Sequence, residues 1–502
     1  MHTLGNTTPS SDYILALDLG TTGNRAFVFN ADSKIVGQAY KELTQYYPQP
    51  GWLEHDPQQI WQDTCWVMQT AIGNAQIAPS AIAALGLTVQ RETCLIWDKT
   101  TGKPLHRAIV WQDRRTAPLC HQLQDQGYAN EIYDRTGLII DAYFSATKLR
   151  WLLDKFTDVD LNNVLAGTID TWVLWNLTGG IHATDHTNAS RTMLMNLKTC
   201  DWDEKLLELF QIPAHILPQI QPSLGVFGVT DATLLGAEIP ITAILGDQQA
   251  ALFGHGCDRP GLMKCTYGTG SFLVAHTGDQ IVRSHHQLIS TVAWTQANLR
   301  GTLDVGYALE GSMFTSGACI QWLRDRLKLI KTAAESEAMA NQVTDNGGVY
   351  FVPAFSGLGA PYWDMSARGA FFGITASVQP EHLVRAVLEA IAYQVLEVVQ
   401  AINASSSTPV GRLTVDGGAC ENNFLMQFQA DVLGIPVERP IMRDTTVQGA
   451  AFAAGLAVGF WESYEALVQQ RQIERVFEPG SDAPLSNFAT WQKAVKRTLA
   501  WE

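Results

Sequence analysis

A chain of 502 residues is long for one hydrophobic core, so two domains are expected. Hydrophobic residues at 46% against 17% charged exclude a disordered protein. A formal net charge of −15 argues against a nucleic-acid backbone or an anionic membrane as the main partner.

In chain order, the N-terminal stretch MHTLGNTTPSSDY has neither a basic segment nor an apolar one, so no secretory signal is expected. Strands are predicted over 13–19, 25–30, 34–40, 83–88 and 93–97, and helices over 57–75, 113–127 and 145–155. This alternation reads as an α/β protein. Eight cysteines (65, 94, 120, 200, 257, 265, 319 and 420) show no CxxC pair and no zinc-like spacing. They are expected to be reduced and mostly buried, as in a cytoplasmic enzyme. The longest apolar run, GAAFAAGLAVGF at 449–460, is too short and too glycine-rich to insert in a membrane.

Three glycine elements punctuate this pattern. The first, ILALDLGTTGNRAFVFN (14–30), reads as strand, tight turn, strand. Neither a Walker-type GxxxxGK[ST] nor a GxGxxG opening a helix is present. Successive backbone amides in such a turn can still hold an anion, with the hydroxyls of Thr21 and Thr22 as further donors. Arg25 lies close enough in sequence to reach a phosphoryl oxygen. Asp18 has no cation beside it in sequence, which suits a direct or water-mediated Mg²⁺ contact, although aspartates also cap turns. The second element, MKCTYGTGSFLVAHTG (263–278), repeats the layout about half a chain later, as a duplication would. A plain glycine hairpin would account for either turn alone. The third, LTVDGGACENNFLMQFQADVLG (413–434), is a strand ending in Asp416-Gly417-Gly418, with a helix beginning near Asn422. Glycines there would let a base or ribose lie against the backbone.

Together, DLGTT, YGTG and VDGGA resemble the phosphate-1, phosphate-2 and adenosine elements of the actin-like ATPases. GAFFGITASVQPEHLVRAVLE (369–389) resembles the C-terminal signature of the FGGY carbohydrate kinases, and the resemblance runs from about Tyr13 to Val495. It implies an α/β fold of two duplicated actin-like (ribonuclease H-like) domains with a central nucleotide and substrate cleft. Residues 1–253 would carry the phosphate-1 hairpin and the polyol pocket, and 254–502 the phosphate-2 hairpin and the adenosine site.

Substrate choice must come from local motifs, since the fold hosts several acceptors. QRET, WQDRR, TDHTNASRT and GDQQAALFG resemble the members of the family that phosphorylate glycerol. Their residues form donors and acceptors suited to a small, uncharged, hydroxylated molecule. Arg91–Glu92 as a surface pair, Trp111 and Tyr143 as core aromatics, and Asp247 as a helix cap remain open readings. By the resemblance, glycerol contacts fall on Arg91, Glu92, Tyr143, Asp247 and Gln248, with Trp111 and Phe272 as apolar walls. ATP contacts fall on Thr21, Thr22, Gly23, Arg25, Thr269, Gly317, Gln321, Gly418 and Asn422. Asp18 would serve Mg²⁺, Asp247 would act as general base, and a homodimer or homotetramer is implied. The family often has serine where this chain has Gly23 and Asn24, so a hydroxyl contact there would be lost. A kinase for another small polyol or ketose, and a non-enzymatic actin-like switch, are the rival expectations.

Overall fold

The computed structural model describes residues 12–298, 300–480 and 483–501. The chain divides into two compact units. The first comprises the chain through Gly256 with Thr291–Tyr307 and Thr445–Gln470, and the second comprises Cys257–Ser290, Ala308–Asp444 and the chain from Arg471.

In the first unit, strands β1 (Tyr13–Leu19), β2 (Gly23–Asn30), β3 (Ile35–Glu42), β4 (Ile82–Val89) and β5 (Pro240–Gly246) lie in the order β3-β2-β1-β4-β5. β1, β2 and β3 form an antiparallel meander, while β1, β4 and β5 run parallel. The inner strands are almost wholly apolar, as strands covered on both faces must be. Helix α1 (Pro57–Ala75) starts where Asp56 accepts the Gln58 N–H at 2.9 Å, with Pro57 in its first turn. Helix α2 (Asp247–Gly254) follows β5 directly. It packs on the helix Thr445–Ala457 so closely that a Cβ on Gly449 would stand 1.8 Å from the Ala250 carbonyl oxygen. The small residues of the 449–460 run therefore serve helix packing.

The helix predicted over 113–127 forms only over Ala117–Asp125. Asp113 holds the preceding residues in a turn: its Oδ2 accepts the Leu53 N–H at 2.6 Å and its Oδ1 the Arg115 N–H at 2.9 Å. Pro118 then suits the first helical turn.

In the second unit, β6 (Leu262–Tyr267), β7 (Ser271–Gly278), β8 (Leu303–Met313, of which this unit holds Ala308–Met313), β9 (Arg412–Asp416) and β10 (Val437–Pro440) lie in the order β8-β7-β6-β9-β10. β6 is antiparallel to β7 and parallel to β9, and β9 is parallel to β10. This is the strand order of the first unit again, the pattern a duplication leaves. Helices α3 (Gly317–Asp325), α4 (Pro380–Ser405) and α5 (Asn423–Leu433) lie in the same unit, and the buried face of α4 belongs to its core.

Candidate active site

The polar residues of the first unit collect where its parallel strands end. Leu19 of β1 stands opposite Val89 of β4, and Val89 opposite Gly246 of β5. Asp18, Gln90, Arg91 and Asp247 therefore lie along one carboxyl edge, where open α/β sheets present ligand-binding groups.

Arg91 and Glu92 are each only 2% exposed, so the pair is not a surface feature. The Arg91 Nε lies 3.0 Å from Asp247 Oδ1, and its Nη1 donates to Gln249 Oε1 at 3.3 Å. Glu92 adopts a φ of +60°, a conformation that costs a non-glycine residue about 1 kcal/mol or more. The Thr93 N–H holds the Arg91 carbonyl at 2.7 Å, and the Ser145 hydroxyl donates to the Glu92 carbonyl at 3.1 Å. These bonds fix the turn. The Glu92 carboxylate accepts from the buried Arg191 Nε at 2.7 Å.

Asp247 is the first residue of α2. Its Oδ1 accepts the Gln248 N–H at 2.7 Å and its Oδ2 the Gln248 side-chain amide at 3.0 Å. At 28% side-chain exposure it is the more accessible carboxylate of this group, against 2% for Glu92. Tyr143 is buried and meets Trp111 edge-on, with ring centroids 5.5 Å apart. Its backbone is held from both sides: Asp141 accepts its N–H at 2.7 Å, and the Lys148 ammonium donates to its carbonyl at 2.7 Å. Burial pushes the Lys148 pKa down. Trp111 Nε1 donates to Thr21 Oγ1 at 2.9 Å, which ties this group to the first glycine turn.

In that turn the Gly20 N–H donates to the Gly23 carbonyl at 3.0 Å. Thr21 is half-buried and Thr22 exposed. Asp18 pairs with Arg25 across the β1–β2 ladder, a neighbour that adjacency in sequence does not reveal. A Cβ on Gly23 would lie 2.4 Å from the Tyr40 ring and 2.6 Å from the Lys41 carbonyl oxygen. A serine there would have to displace that ring. Asn24 turns the other way and donates to the Ile60 carbonyl at 3.1 Å.

In the second unit Thr269 is exposed at the tip of the β6–β7 turn, and Phe272 is half-buried on β7. Gly317 opens α3, its N–H donating to the Gly268 carbonyl at 3.0 Å, and Gln321 follows one turn on, exposed. Gly417 has a φ of +83°, and a Cβ there would stand 2.5 Å from the Tyr267 carbonyl oxygen. Gly418 starts a short 3₁₀ turn, and Asn422 caps α5 with its Oδ1 on the Leu425 N–H at 2.9 Å. The Asn422 amide also donates to Ser336 Oγ at 3.1 Å.

Sequence reasoning passed over Arg191, Gln249, Lys148, the buried His55 and Gln90, and the half-buried Gln45. Arg191 stood inside a quoted motif, but nothing in the motif paired it with Glu92, 99 residues away. Among the described residues, no group of three or more His, Cys, Asp or Glu could hold a metal by itself. No helix among them is long and apolar enough to cross a membrane.

Comparison with known proteins extends this picture to the whole chain. The N-terminal domain of the FGGY family of carbohydrate kinases matches residues 13–254, and its C-terminal domain matches residues 263–458. A glycerol kinase of Trichormus variabilis is 83% identical over 497 residues, covering 98% of this chain and 99% of that protein. Glycerol kinase 2 of Thermotoga maritima is 53% identical over 497 residues, with 98% and 99% covered. The crystal structure of Plasmodium falciparum glycerol kinase with ADP superposes with a TM-score of 0.89 at 37% identity, covering 97% of this chain and 98% of that one. A xylulose kinase from Lactobacillus acidophilus has a TM-score of 0.84 at 23% identity, covering 97% and 96%, which speaks for the fold alone. With both halves matched in order and the strand topology repeated in both units, the chain belongs to the FGGY family of carbohydrate kinases.

Proposed function

We propose that the protein transfers the γ-phosphoryl group of ATP to a terminal hydroxyl of glycerol, giving sn-glycerol 3-phosphate. The observation that carries this reading is the cluster Arg91–Glu92–Asp247–Gln248 at the strand ends, beside the Trp111 and Tyr143 rings. It sits in a chain 83% identical to a glycerol kinase. Arg91 and Gln248 supply donors, Glu92 and Asp247 supply acceptors, and the rings cover carbon. Such a site rejects molecules lacking a hydroxyl, because buried groups would be left unpaired.

In this reading Asp247 is the general base. It takes the proton of the attacking hydroxyl as the new O–P bond forms, and the bond from the γ-phosphorus to the bridging oxygen breaks toward ADP. Arg91 orients the Asp247 carboxylate, and Arg191 holds Glu92 as an acceptor. Phosphate contacts are assigned to Thr21, Thr22, Gly23 and Arg25 of the first unit. By family resemblance, nucleotide contacts are assigned to Thr269, Gly317, Gln321, Gly418 and Asn422, and an apolar wall for the polyol to Phe272. Asp18 would hold Mg²⁺. A single carboxylate without a protein cage suits this ion, which keeps waters and shares phosphate oxygens. When bound it would neutralise charge developing on the phosphates. The same reading puts the enzyme in the cytoplasm, where its eight free cysteines stay reduced, and in a homodimer or homotetramer by family resemblance.

The experiment is ADP release by the purified protein on a panel of glycerol, dihydroxyacetone, erythritol and xylulose, with the product identified. Turnover should require glycerol. Asp247→Asn should retain glycerol and ATP binding yet lose at least about a hundredfold in kcat. ATP turnover indifferent to every polyol would overturn the reading, and near-parent kcat in the variant would remove Asp247 as base.

A further inference from the structure

The first glycine turn is backed by a largely buried chain of side chains that the proposed mechanism does not use. Gln90 Nε2 donates to the Gly20 carbonyl at 3.3 Å, and Gln90 Oε1 accepts from Thr93 Oγ1 at 3.0 Å. On the other side, Gln45 Nε2 donates to the Thr21 carbonyl at 2.8 Å and to the Leu43 carbonyl at 3.1 Å. Between the two amides lies His55, with no exposed surface. Its Nε2 is 2.9 Å from Gln45 Oε1 and its Nδ1 is 3.3 Å from Gln90 Nε2.

The backbone carbonyls determine every proton in this chain. A carbonyl only accepts, so each glutamine must present its NH₂ to the turn. Gln45 then offers only its oxygen to His55, which must carry its proton on Nε2. The bare Nδ1 accepts from Gln90. The imidazole is neutral, in keeping with burial that lowers its pKa to about 4.

Anchoring these carbonyls sets the direction of the turn's amides. The peptide bonds between Gly20 and Thr22 are trans, so each N–H points opposite to the C=O of the same plane. The Gly20 carbonyl shares its plane with the Thr21 N–H, and the Thr21 carbonyl with the Thr22 N–H. Holding both carbonyls back into the unit turns both N–H groups outward. The next carbonyl, of Thr22, is held as well, by the Leu43 N–H at 2.9 Å.

The duplicated hairpin shows the same arrangement built from different groups. There the carbonyls of Gly268 and Thr269, at the places of Gly20 and Thr21, accept from α3 and the residue before it. The Gly317 N–H reaches Gly268 at 3.0 Å, and the Ser316 and Ala318 N–H groups reach Thr269 at 2.9 and 3.1 Å. Two hairpins with the same two carbonyls anchored by unrelated donors point to a shared requirement on the amides opposite them.

We infer that Gln45, His55 and Gln90 are positioning residues for phosphate binding, presetting the Thr21 and Thr22 amides by anchoring the carbonyls behind them. The inference rests on the reading of this turn as a phosphate site. The test compares ADP with adenosine binding, by titration calorimetry, in the full-length parent and in H55F, Q45L and R25A. H55F removes both imidazole hydrogen bonds while keeping a planar ring. Gln45 is half-buried at the end of the chain, so Q45L keeps the test open if H55F fails to fold.

H55F and Q45L should each lose about five- to thirtyfold in ADP affinity, with adenosine affinity within about twofold of the parent. ADP affinity unchanged in both variants but weakened in R25A overturns the positioning role and leaves the phosphate reading standing. ADP affinity unchanged in all three variants overturns that reading and the inference with it. Equal losses for ADP and adenosine would show that the chain only supports the fold, and would also overturn the inference.

Discussion

Gly246 shows how tightly single residues are constrained beside the polyol group. A Cβ there would meet Arg91 Cδ at 2.6 Å and Gln249 Oε1 at 2.9 Å. Arg91 is 2% exposed and is held by Asp247 at 3.0 Å and Gln249 at 3.3 Å. Gly246→Ala should therefore raise the KM for glycerol about tenfold, by displacing a packed side chain, and leave the KM for ATP within about twofold. Steady-state kinetics with each substrate varied would check it; an unmoved glycerol KM would mean that Arg91 shifts without consequence. Sequence placed Arg91 and Glu92 just past an apolar run, and it was the family resemblance of their motifs that assigned them and Asp247 to the polyol. It had no means of marking Gly246, Arg191 or His55. Their roles are contacts with side chains or carbonyls far along the chain, and no local pattern encodes a distance in space.

At the scale of elements, the glycine hairpins are held backbone against backbone. Gly417 combines a φ of +83° with a would-be Cβ 2.5 Å from the Tyr267 carbonyl oxygen and 2.9 Å from the Tyr267 nitrogen. Backbone atoms of β6 cannot swing aside as a flexible side chain can. Gly417→Ala should accordingly cost more stability than Gly246→Ala, about 2 kcal/mol or more. A lowered urea midpoint would register this, and a midpoint equal to the parent's would show that the β9 turn can retreat. Most elements were legible because their signals are local. The apolar runs of β1 and β2, and the Asp56–Pro57 start of α1, need only neighbouring residues. The helix expected from residue 113 was overextended because Asp113 is bound by Leu53, 60 residues earlier.

For the whole molecule, buried titratable groups link stability to pH. Glu397 of α4 is pushed up to about 7 by burial, with Tyr362 Oη donating to its carboxyl at 2.5 Å and Gln492 at 3.1 Å. A carboxyl raised in the folded state favours folding while protonated. Its contribution is fully present below the unfolded value of about 4.5 and is lost as pH rises toward 7, by ~3 kcal/mol at most. Glu397→Gln has no such loss, so its stability relative to the parent should climb between pH 5 and 7.5 and then level off. Denaturation midpoints across that range would show the climb; a constant difference would mean that Glu397 does not titrate there.

By itself the sequence determined the α/β class, the three glycine elements and the duplicated layout of two of them. It also marked the residues from which a polyol site would be drawn. The class and the glycine elements follow from short-range chemistry, apolar runs broken by turn residues, while the polyol residues follow from the resemblance of their motifs to the family. Only the tertiary structure decided that β1, β4 and β5 end in register, that Arg91 lies against Asp247 and Arg191 against Glu92, and that His55 stands behind Gly20 and Thr21. Those pairings depend on which strands become neighbours and on where a buried polar group finds its one partner. That is settled by packing across hundreds of residues.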